Sequence, residues 1–176
     1  MKSLRTFIVF ALFVCAGTLC AFEIPLNGKY SYNKKIITAE FKDKCLVLTI
    51  PKQEKKSTFA GFSVLLSKPE NLTGFTGVEF TIKASQPIKA KCSFGNWKTQ
   101  MSVHNWPGKN IPANTETKIR YERKLFNPTK GLDGAADKAS VFSFGFGLWM
   151  YDNTKEDLVI EISGAAVCMP ETVPVK

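Results

Sequence analysis

Apolar and polar residues alternate along most of the chain, and the longest alternating stretch is residues 141–151. One face of this stretch carries large apolar side chains: Phe142, Phe144, Phe146, Leu148 and Met150. The other face carries small residues and then two aromatics: Ser143, Gly145, Gly147, Trp149 and Tyr151. Successive side chains of a strand point to opposite faces. The pattern therefore predicts a strand whose phenylalanine face lies in a core.

The second face of this strand has an unusual composition. Glycine in a strand interior often marks a place where something approaches the backbone closely. A flat floor beside Trp149 and Tyr151 would seat a sugar ring. The alternative interpretation is that the glycines mark a bulge and the two aromatics cover a sheet edge.

Period-two alternation recurs elsewhere between turn residues, and no stretch predicts more than one helical turn. It predicts further strands at residues 35–41, 44–50, 58–66, 77–84, 88–94, 99–103, 117–123 and 157–167. Residues 22–33 are expected to be a polar and aromatic lead-in. Eight or nine short strands of this kind are typical of an all-β antiparallel sandwich with a jelly-roll-like arrangement. We expect one such domain at residues 22–168 and a flexible tail at residues 169–176.

The N-terminus is typical of a secretory signal peptide. Lys2 and Arg5 precede an apolar run at residues 7–14, and small residues lead to a cleavage site near Ala21. Residues 1–21 are therefore predicted to be removed, which places the protein in a periplasmic or extracellular location. The apolar run is too short for a transmembrane helix, and no later stretch is long enough to be one. Cys20 raises lipidation as a minor alternative, although the residues before it do not form the usual lipobox.

The chain is basic. It has 24 Lys and Arg residues against 15 Asp and Glu, a net charge of +9. Loss of Lys2 and Arg5 with the signal peptide lowers this to +7. A basic secreted domain is attracted to anionic surfaces such as acidic polysaccharide. The alternative is a lysine-rich surface that serves solubility alone, and nothing resembles a nucleic-acid-binding motif.

Three cysteines remain after residue 21: Cys45, Cys92 and Cys168. Secretion permits disulfides, and an odd number leaves one thiol over. Cys45 and Cys168 lie in an early strand and at the end of the last one, so a bridge between them is preferred if those strands pair. The alternative is that the thiols are free and behave as small apolar side chains.

The order of elements resembles the galactose-binding-like jelly rolls of carbohydrate-binding modules. The resemblance covers about residues 35–167. It begins with a segment at residues 72–83 that opens a strand, a paired strand at 88–94 and a loop with Trp. A strand at 117–123 then leads to a Leu-Phe-Asn-Pro step at 125–128, and a Phe-rich strand and a terminal strand at 157–163 follow. The resemblance implies an antiparallel β-sandwich that binds sugar rings on exposed aromatics. The chain departs from the pattern at Thr117-Lys118 and at Glu161 and Ser163, so no calcium or sugar ligand is carried over from the family.

The predicted site combines aromatic rings for stacking with amides for sugar hydroxyls. Its residues are Trp149, Tyr151, Trp97, Trp106, Asn96 and Asn105. The alternative for each tryptophan is packing. Outward-facing cations lie on several strands: Lys83, Lys89, Lys91, Lys118 and Arg120. If they share a sheet with Gly145 the groove is basic and suits an acidic glycan, and if they lie on the opposite sheet they serve solubility.

Catalysis is not predicted. The single histidine, His104, lies outside any Ser-His-Asp, HExxH or P-loop context, and Glu79, Glu122 and Glu161 stand alone on separate strands. No cofactor is expected, apart from weak candidate Ca²⁺ ligands in loops: Asp133, Asp137, Asp152 and Asp157. The sequence predicts a secreted, non-catalytic protein that binds polysaccharide. The alternatives are a structural or adhesive envelope protein and, less favoured, a small polysaccharide lyase or hydrolase.

Overall fold

A computed structural model describes residues 20–32, 36–55, 59–95, 100–103, 108–128, 141–149 and 151–170. These residues form strands and one 3-10 turn, η1 (Arg123–Leu125). In chain order the strands are β1 (Cys20–Glu23), β2 (Lys29–Tyr32), β3 (Thr38–Lys42), β4 (Cys45–Ile50), β5 (Phe59–Glu70), β6 (Gly77–Ala84), β7 (Ile88–Gly95), β8 (Gln100–Val103), β9 (Lys109–Ile111), β10 (Thr117–Glu122), β11 (Phe126–Pro128), β12 (Val141–Trp149) and β13 (Leu158–Cys168).

The strands make two sheets, and neighbouring strands within each sheet are antiparallel. The six-stranded sheet has the order β10-β6-β13-β4-β3, with β1 also paired to β13. The seven-stranded sheet has the order β11-β8-β7-β12-β5-β2, with β9 also paired to β7. This arrangement confirms the predicted all-β antiparallel sandwich.

The core lies between the two sheets and is rich in phenylalanine. Phe144, Phe146 and Leu148 of β12 are buried, as the alternation predicts. Phe146 meets the edge of Phe80 from the six-stranded sheet, with ring centroids 5.2 Å apart and an interplanar angle of 79°. Edge-to-face contact suits the charge distribution of aromatic rings. The strand singled out by its sequence pattern is therefore central to the packing of the two sheets.

The beginning of β12 departs from the predicted alternation. A register shift separates Val141 from Ser143 where β12 pairs with β5. Val141 is buried and Phe142 is only partly buried. Val141 and Phe144 are both buried although they lie three residues apart, so the period-two alternation is interrupted between them. The prediction that Phe142 is a core residue alongside Phe144 is therefore wrong, while Met150 lies outside the described residues.

The β3–β4 hairpin shows how local sequence sets a turn. Asp43 and Lys44 connect the strands, with φ angles of 51° and 66°. Two left-handed residues in succession are the geometry of a type I′ turn, whose twist matches that of antiparallel strands. The chain reversal occurs close to its predicted position.

Residues 22–33, predicted to be a lead-in, contribute strands to both sheets. β1 pairs with β13 and β2 pairs with β5. These strands are only four residues each, too short for period-two alternation to be distinctive. β1 also begins at Cys20, so the predicted domain boundary after Ala21 lies inside a strand. Cleavage at that position stays a prediction. No helix within the described residues is long and apolar enough to cross a membrane.

The preferred disulfide is wrong. β4 and β13 do pair, but Leu46 is the register partner of Ile162, which places Cys45 near the middle of β13. Cys168 lies six residues beyond Ile162, roughly 20 Å at 3.3 Å per residue. A disulfide needs Cα atoms within about 7 Å. No disulfide joins any two of Cys45, Cys92 and Cys168, and burial raises the pKa of the Cys92 thiol far above its usual value.

Candidate functional site

Small residues form a floor on the outer face of the seven-stranded sheet. Gly145 of β12 is the register partner of Ser93 on β7 and of Ser63 on β5. A β-carbon on Gly145 would lie 2.4 Å from the Ser93 hydroxyl oxygen and 3.2 Å from that of Ser63. Ser31 of β2 is in turn the partner of Ser63 and extends the row. The floor is therefore bare backbone at its centre, with hydroxyl groups on either side.

An aromatic pair stands at one end of this floor. Trp149 of β12 and Phe59 of β5 are register partners, with ring centroids 4.9 Å apart and an interplanar angle of 45°. Gly147 and Gly61 are register partners one step further along the same face. A β-carbon on Gly147 would lie 2.5 Å from the Trp149 ring, and one on Gly61 would lie 3.1 Å from the Phe59 ring. Each ring therefore lies over a glycine, which has no side chain and so leaves space for the ring.

Lys91 brings positive charge to the aromatic pair. Its backbone is the register partner of Gly147, and its Nζ lies 4.2 Å from the centroid of the Trp149 ring. That separation is within the range of a cation–π contact. Burial lowers the pKa of Lys91, because a partly desolvated ammonium is less easily kept charged. The lysine is thus part of the site and not a fully solvated surface residue.

The floor and the aromatic pair line a groove of about 400 Å³. Ser31 and Tyr32 of β2 bound it on one side, and Lys91 and Ser93 of β7 bound it on the other. This volume is within the range of small-molecule binding sites. The outer face of the seven-stranded sheet is therefore the candidate functional site.

Of the six predicted site residues, one lies in the groove, one lies in the core and four lie outside the described residues. Trp149 lies in the groove, as the face assignment predicted. Tyr151 is 1% exposed and belongs to the core, so the prediction that it lies on the same exposed face is wrong. β12 ends at Trp149, and side-chain alternation no longer applies once the chain leaves the strand. The other predicted residues, Trp97, Trp106, Asn96 and Asn105, lie outside the described residues, as does His104.

Sequence reasoning missed Phe59, the most exposed aromatic of the groove at 48%. It also missed the serines of β2, β5 and β7. The sequence did contain a signal for the β5 residues. Phe59, Gly61 and Ser63 alternate on β5, and they have the same mixture of aromatic, glycine and serine residues as the outer face of β12. Only the pairing of β5 with β12 shows that the two sets form one surface.

The outward-facing cations divide between the two sheets. Lys89 and Lys91 lie on β7 beside β12 and therefore share a face with Gly145. The other three lie on β6 and β10 of the six-stranded sheet: Lys83, Lys118 and Arg120. The predicted placement beside Gly145 therefore holds for Lys89 and Lys91, and the predicted placement on the opposite sheet holds for the other three.

Carboxylates on the six-stranded sheet pair with Lys83, Lys118 and Arg120. Lys118 Nζ lies 2.8 Å and Arg120 Nη1 lies 2.9 Å from the carboxylate of Glu79, which is 8% exposed. Burial disfavours the charged carboxylate, but hydrogen bonds from the two cations outweigh it, and the pKa of Glu79 lies below its usual value. Lys83 Nζ lies 3.8 Å from Glu161. These pairs fit a structural role.

The candidate Ca²⁺ ligands that the structure describes are engaged in local contacts. Asp152 accepts hydrogen bonds from the backbone and hydroxyl of Thr154, and Asp157 accepts one from the backbone of Lys52. Asp133 and Asp137 lie outside the described residues. Within the part of the chain that the structure describes, no three His, Cys, Asp or Glu residues are grouped as metal ligands would be.

The fold is similar to that of a solved carbohydrate-binding module, which confirms the resemblance of fold seen in the sequence. No protein-family profile and no curated protein sequence matches the chain. Among solved structures, PfGH50B has a TM-score of 0.59 and 12% identity over 87% of this chain. The agarase AgWH50C has a TM-score of 0.54 and 12% identity over 82% of this chain. This chain spans about a quarter of each, 24% and 23% respectively.

The structure of an isolated carbohydrate-binding module is also similar. The family 11 carbohydrate-binding module from Clostridium thermocellum, in complex with a β-1,3-1,4-mixed-linked tetrasaccharide, has a TM-score of 0.50 and 10% identity. The match covers 80% of this chain and 88% of that one. At such identities the similarity shows the fold alone, so function has to be argued from the groove.

Proposed function

We propose that this protein is a secreted, non-catalytic carbohydrate-binding module that holds a polysaccharide in the groove of its seven-stranded sheet. The observation that carries the proposal is the Phe59–Trp149 pair beside a floor of glycine and serine. A sugar ring has an apolar face and a rim of hydroxyls. Aromatic rings bury the apolar face at low entropic cost, and neighbouring hydroxyl groups orient the rim.

The dimensions of the floor favour a chain of sugars over a single one. Ser31, Ser63, Gly145 and Ser93 lie in one row across four adjacent strands. With strands about 4.8 Å apart, the row is roughly 14 Å long, which exceeds one sugar ring. A sugar stacked at the aromatic end would therefore have neighbours in the same polysaccharide within reach of the serine hydroxyls.

The composition of the groove supports binding without catalysis. The described lining residues are aromatic, small or hydroxyl-bearing, with Lys91 as the charged member, and none is a carboxylate or histidine. Glycoside hydrolysis generally uses two carboxylates on either side of the scissile bond. The similar agarase is about four times as long as the matched segment, so its name concerns a much larger protein. Secretion rests on the predicted signal peptide at residues 1–21.

The competing function is a protein contact through the same face. Phe59 is 48% exposed and packs against Trp149, and exposed aromatics are typical of protein interfaces. A partner chain on this face would make the protein structural or adhesive. Light scattering of the purified protein, with and without polysaccharide, separates the two functions, because a face used for self-association would give a dimer without sugar.

The direct test is calorimetric titration with soluble polysaccharides and their oligosaccharides, beginning with mixed-linkage glucan and agarose oligosaccharides. Trp149→Ala is expected to lower affinity at least tenfold. Phe41→Ala is the matched control, because Phe41 is 41% exposed on β3 of the six-stranded sheet. Release of reducing ends from any of these substrates would contradict the non-catalytic assignment. Equal affinity of Trp149→Ala and the parent protein would remove the groove as the binding site.

A further inference from the structure

We propose that the groove selects an anionic sugar, and that Lys91 pairs with a carboxylate or sulfate group on the sugar that stacks against Trp149. This inference rests on the proposed function and specifies its ligand class. It makes Lys91 the residue that determines specificity, while the aromatic pair supplies binding common to charged and neutral sugars.

The first support is the sign of the charge across the groove face. By register, the outward positions of β2, β5 through Leu65, β7 and β12 include three cations: Lys29, Lys89 and Lys91. The remaining outward positions described on these strands are serine, glycine, aromatic or apolar, and none is acidic. The face that carries the groove therefore has an excess of cations at its described outward positions, and an excess of positive charge attracts anionic ligands.

The second support is the contrast between Lys91 and the lysines of the opposite sheet. Lys83 and Lys118 lie 3.8 Å and 2.8 Å from the carboxylates of Glu161 and Glu79. The ion pairs formed among the described residues do not include Lys91, whose ammonium instead lies 4.2 Å from the Trp149 ring centroid. An aromatic face compensates an ammonium less fully than a carboxylate does. The site therefore holds a cation whose charge is not neutralised within this part of the protein.

The third support is the position of the ammonium relative to the bound sugar. Lys91 and Trp149 lie on neighbouring strands, and the lysine reaches over the tryptophan ring. A sugar held beside this ring places its substituents near Nζ. Partial burial of Lys91 strengthens attraction to an anion, because electrostatic interactions weaken as the surroundings become more polar. A neutral sugar offers only hydroxyl groups to the same ammonium.

The experiment compares ligands that share a backbone and differ only in charge. Homogalacturonan oligosaccharides are titrated in methyl-esterified and de-esterified form, and a sulfated galactan oligosaccharide is compared with its desulfated form. At least one anionic member is expected to bind ten times more tightly than its neutral counterpart, with a preference that declines as salt is raised. The two pairs distinguish a carboxylate from a sulfate.

Three variants assign the preference to one residue. Lys91→Met keeps an unbranched apolar side chain and removes the charge, so it is expected to reduce affinity for the anionic ligand to that for the neutral one. Lys91→Arg is expected to retain most of the preference. Lys83→Met removes the same charge from the opposite sheet and is expected to leave the preference unchanged.

Each result decides between the proposals. Equal affinity for charged and neutral members of both pairs overturns the anionic inference and leaves carbohydrate binding in place. Equal losses in Lys91→Met and Lys83→Met overturn it as well, because the effect would then follow net charge alone. Neutral binding that survives in Trp149→Ala removes the groove as the proposed site, and no binding to any of the four ligands overturns both proposals.

Discussion

Phe59 and Trp149 face each other across β5 and β12, and each ring lies over a glycine two residues away in its own strand. Gly61 follows Phe59 and Gly147 precedes Trp149, and because the strands are antiparallel both rings lean in the same direction along the sheet. A larger residue at either glycine would occupy the space of a ring. The aromatic pair and the glycine pair therefore form one unit, in which glycine permits the position of each ring.

Phe59→Ala is expected to weaken polysaccharide binding at least tenfold, because it removes one ring of the pair and the lateral support of Trp149. Folding stability is expected to fall by about 1 kcal/mol, since Phe59 is 48% exposed and contributes mainly through the aromatic pair. Calorimetric titration and urea denaturation measure the two effects. Phe59→Tyr keeps the ring and should retain affinity within a few-fold. Weak binding by this variant would show that the ring alone is not what the ligand contacts.

Gly147→Ala is expected to displace the Trp149 ring, because its β-carbon would lie 2.5 Å from a ring atom. We expect at least a tenfold loss of affinity and a destabilisation of about 1–2 kcal/mol, which is typical of local overpacking. Gly164→Ala is the matched control in the six-stranded sheet, because nothing lies within 4 Å of its β-carbon position. Its affinity should equal that of the parent protein, and its stability should be unchanged or higher by up to about 1 kcal/mol. Similar losses in both variants would contradict a specific role for Gly147.

Tyr151→Ala is expected to separate stability from binding. Tyr151 is 1% exposed, and truncation of a large buried aromatic typically costs about 3–5 kcal/mol. Affinity measured at a temperature where the variant is folded should stay within about twofold of the parent value. Trp149→Ala should show the opposite pattern, with lost affinity and a much smaller change in stability. A selective loss of affinity in Tyr151→Ala would restore Tyr151 to the site.

Glu79→Gln is expected to lower stability at neutral pH by about 1–2 kcal/mol, because it weakens charge-assisted hydrogen bonds from Lys118 and Arg120. The folded pKa of Glu79 lies below its ordinary value of 4.5. The contribution of Glu79 to folding stability is therefore fully present above pH 4.5 and is lost as the pH falls through the folded pKa. Denaturation midpoints of parent and variant should consequently converge in acid.

The exposed Glu116 provides the control for this pH dependence. Glu116→Gln should be as stable as the parent protein at neutral pH, because its side chain is exposed in the loop before β10. The parent protein and Glu79→Gln are compared by their denaturation midpoints. If the difference in midpoint stays constant from pH 7 to pH 3, the ionised carboxylate is not what stabilises the sheet.

The stronger sequence predictions are those based on long alternation. Strands β6 and β7 bury the expected faces, because a strand with one apolar face has a single favourable orientation. The buried side chains include Phe80, Ile82, Ala90 and Phe94. Alternation failed where the strand geometry changed. Phe142 lies outside the core because the strand is irregular after Val141. Tyr151 lies in the core because β12 ends before it and alternation no longer sets its direction.

The sequence by itself determined the fold class, the core faces of the main strands and the presence of Trp149 on a smooth outer face. These follow from side-chain periodicity, which is a local property of the backbone. Only the tertiary structure decided which strands are neighbours. It brought Phe59 to Trp149, divided the cations between two sheets and separated Cys45 from Cys168. Strand order and register arise from the packing of distant segments into a common core, and alternation within a single strand contains no information about its neighbours.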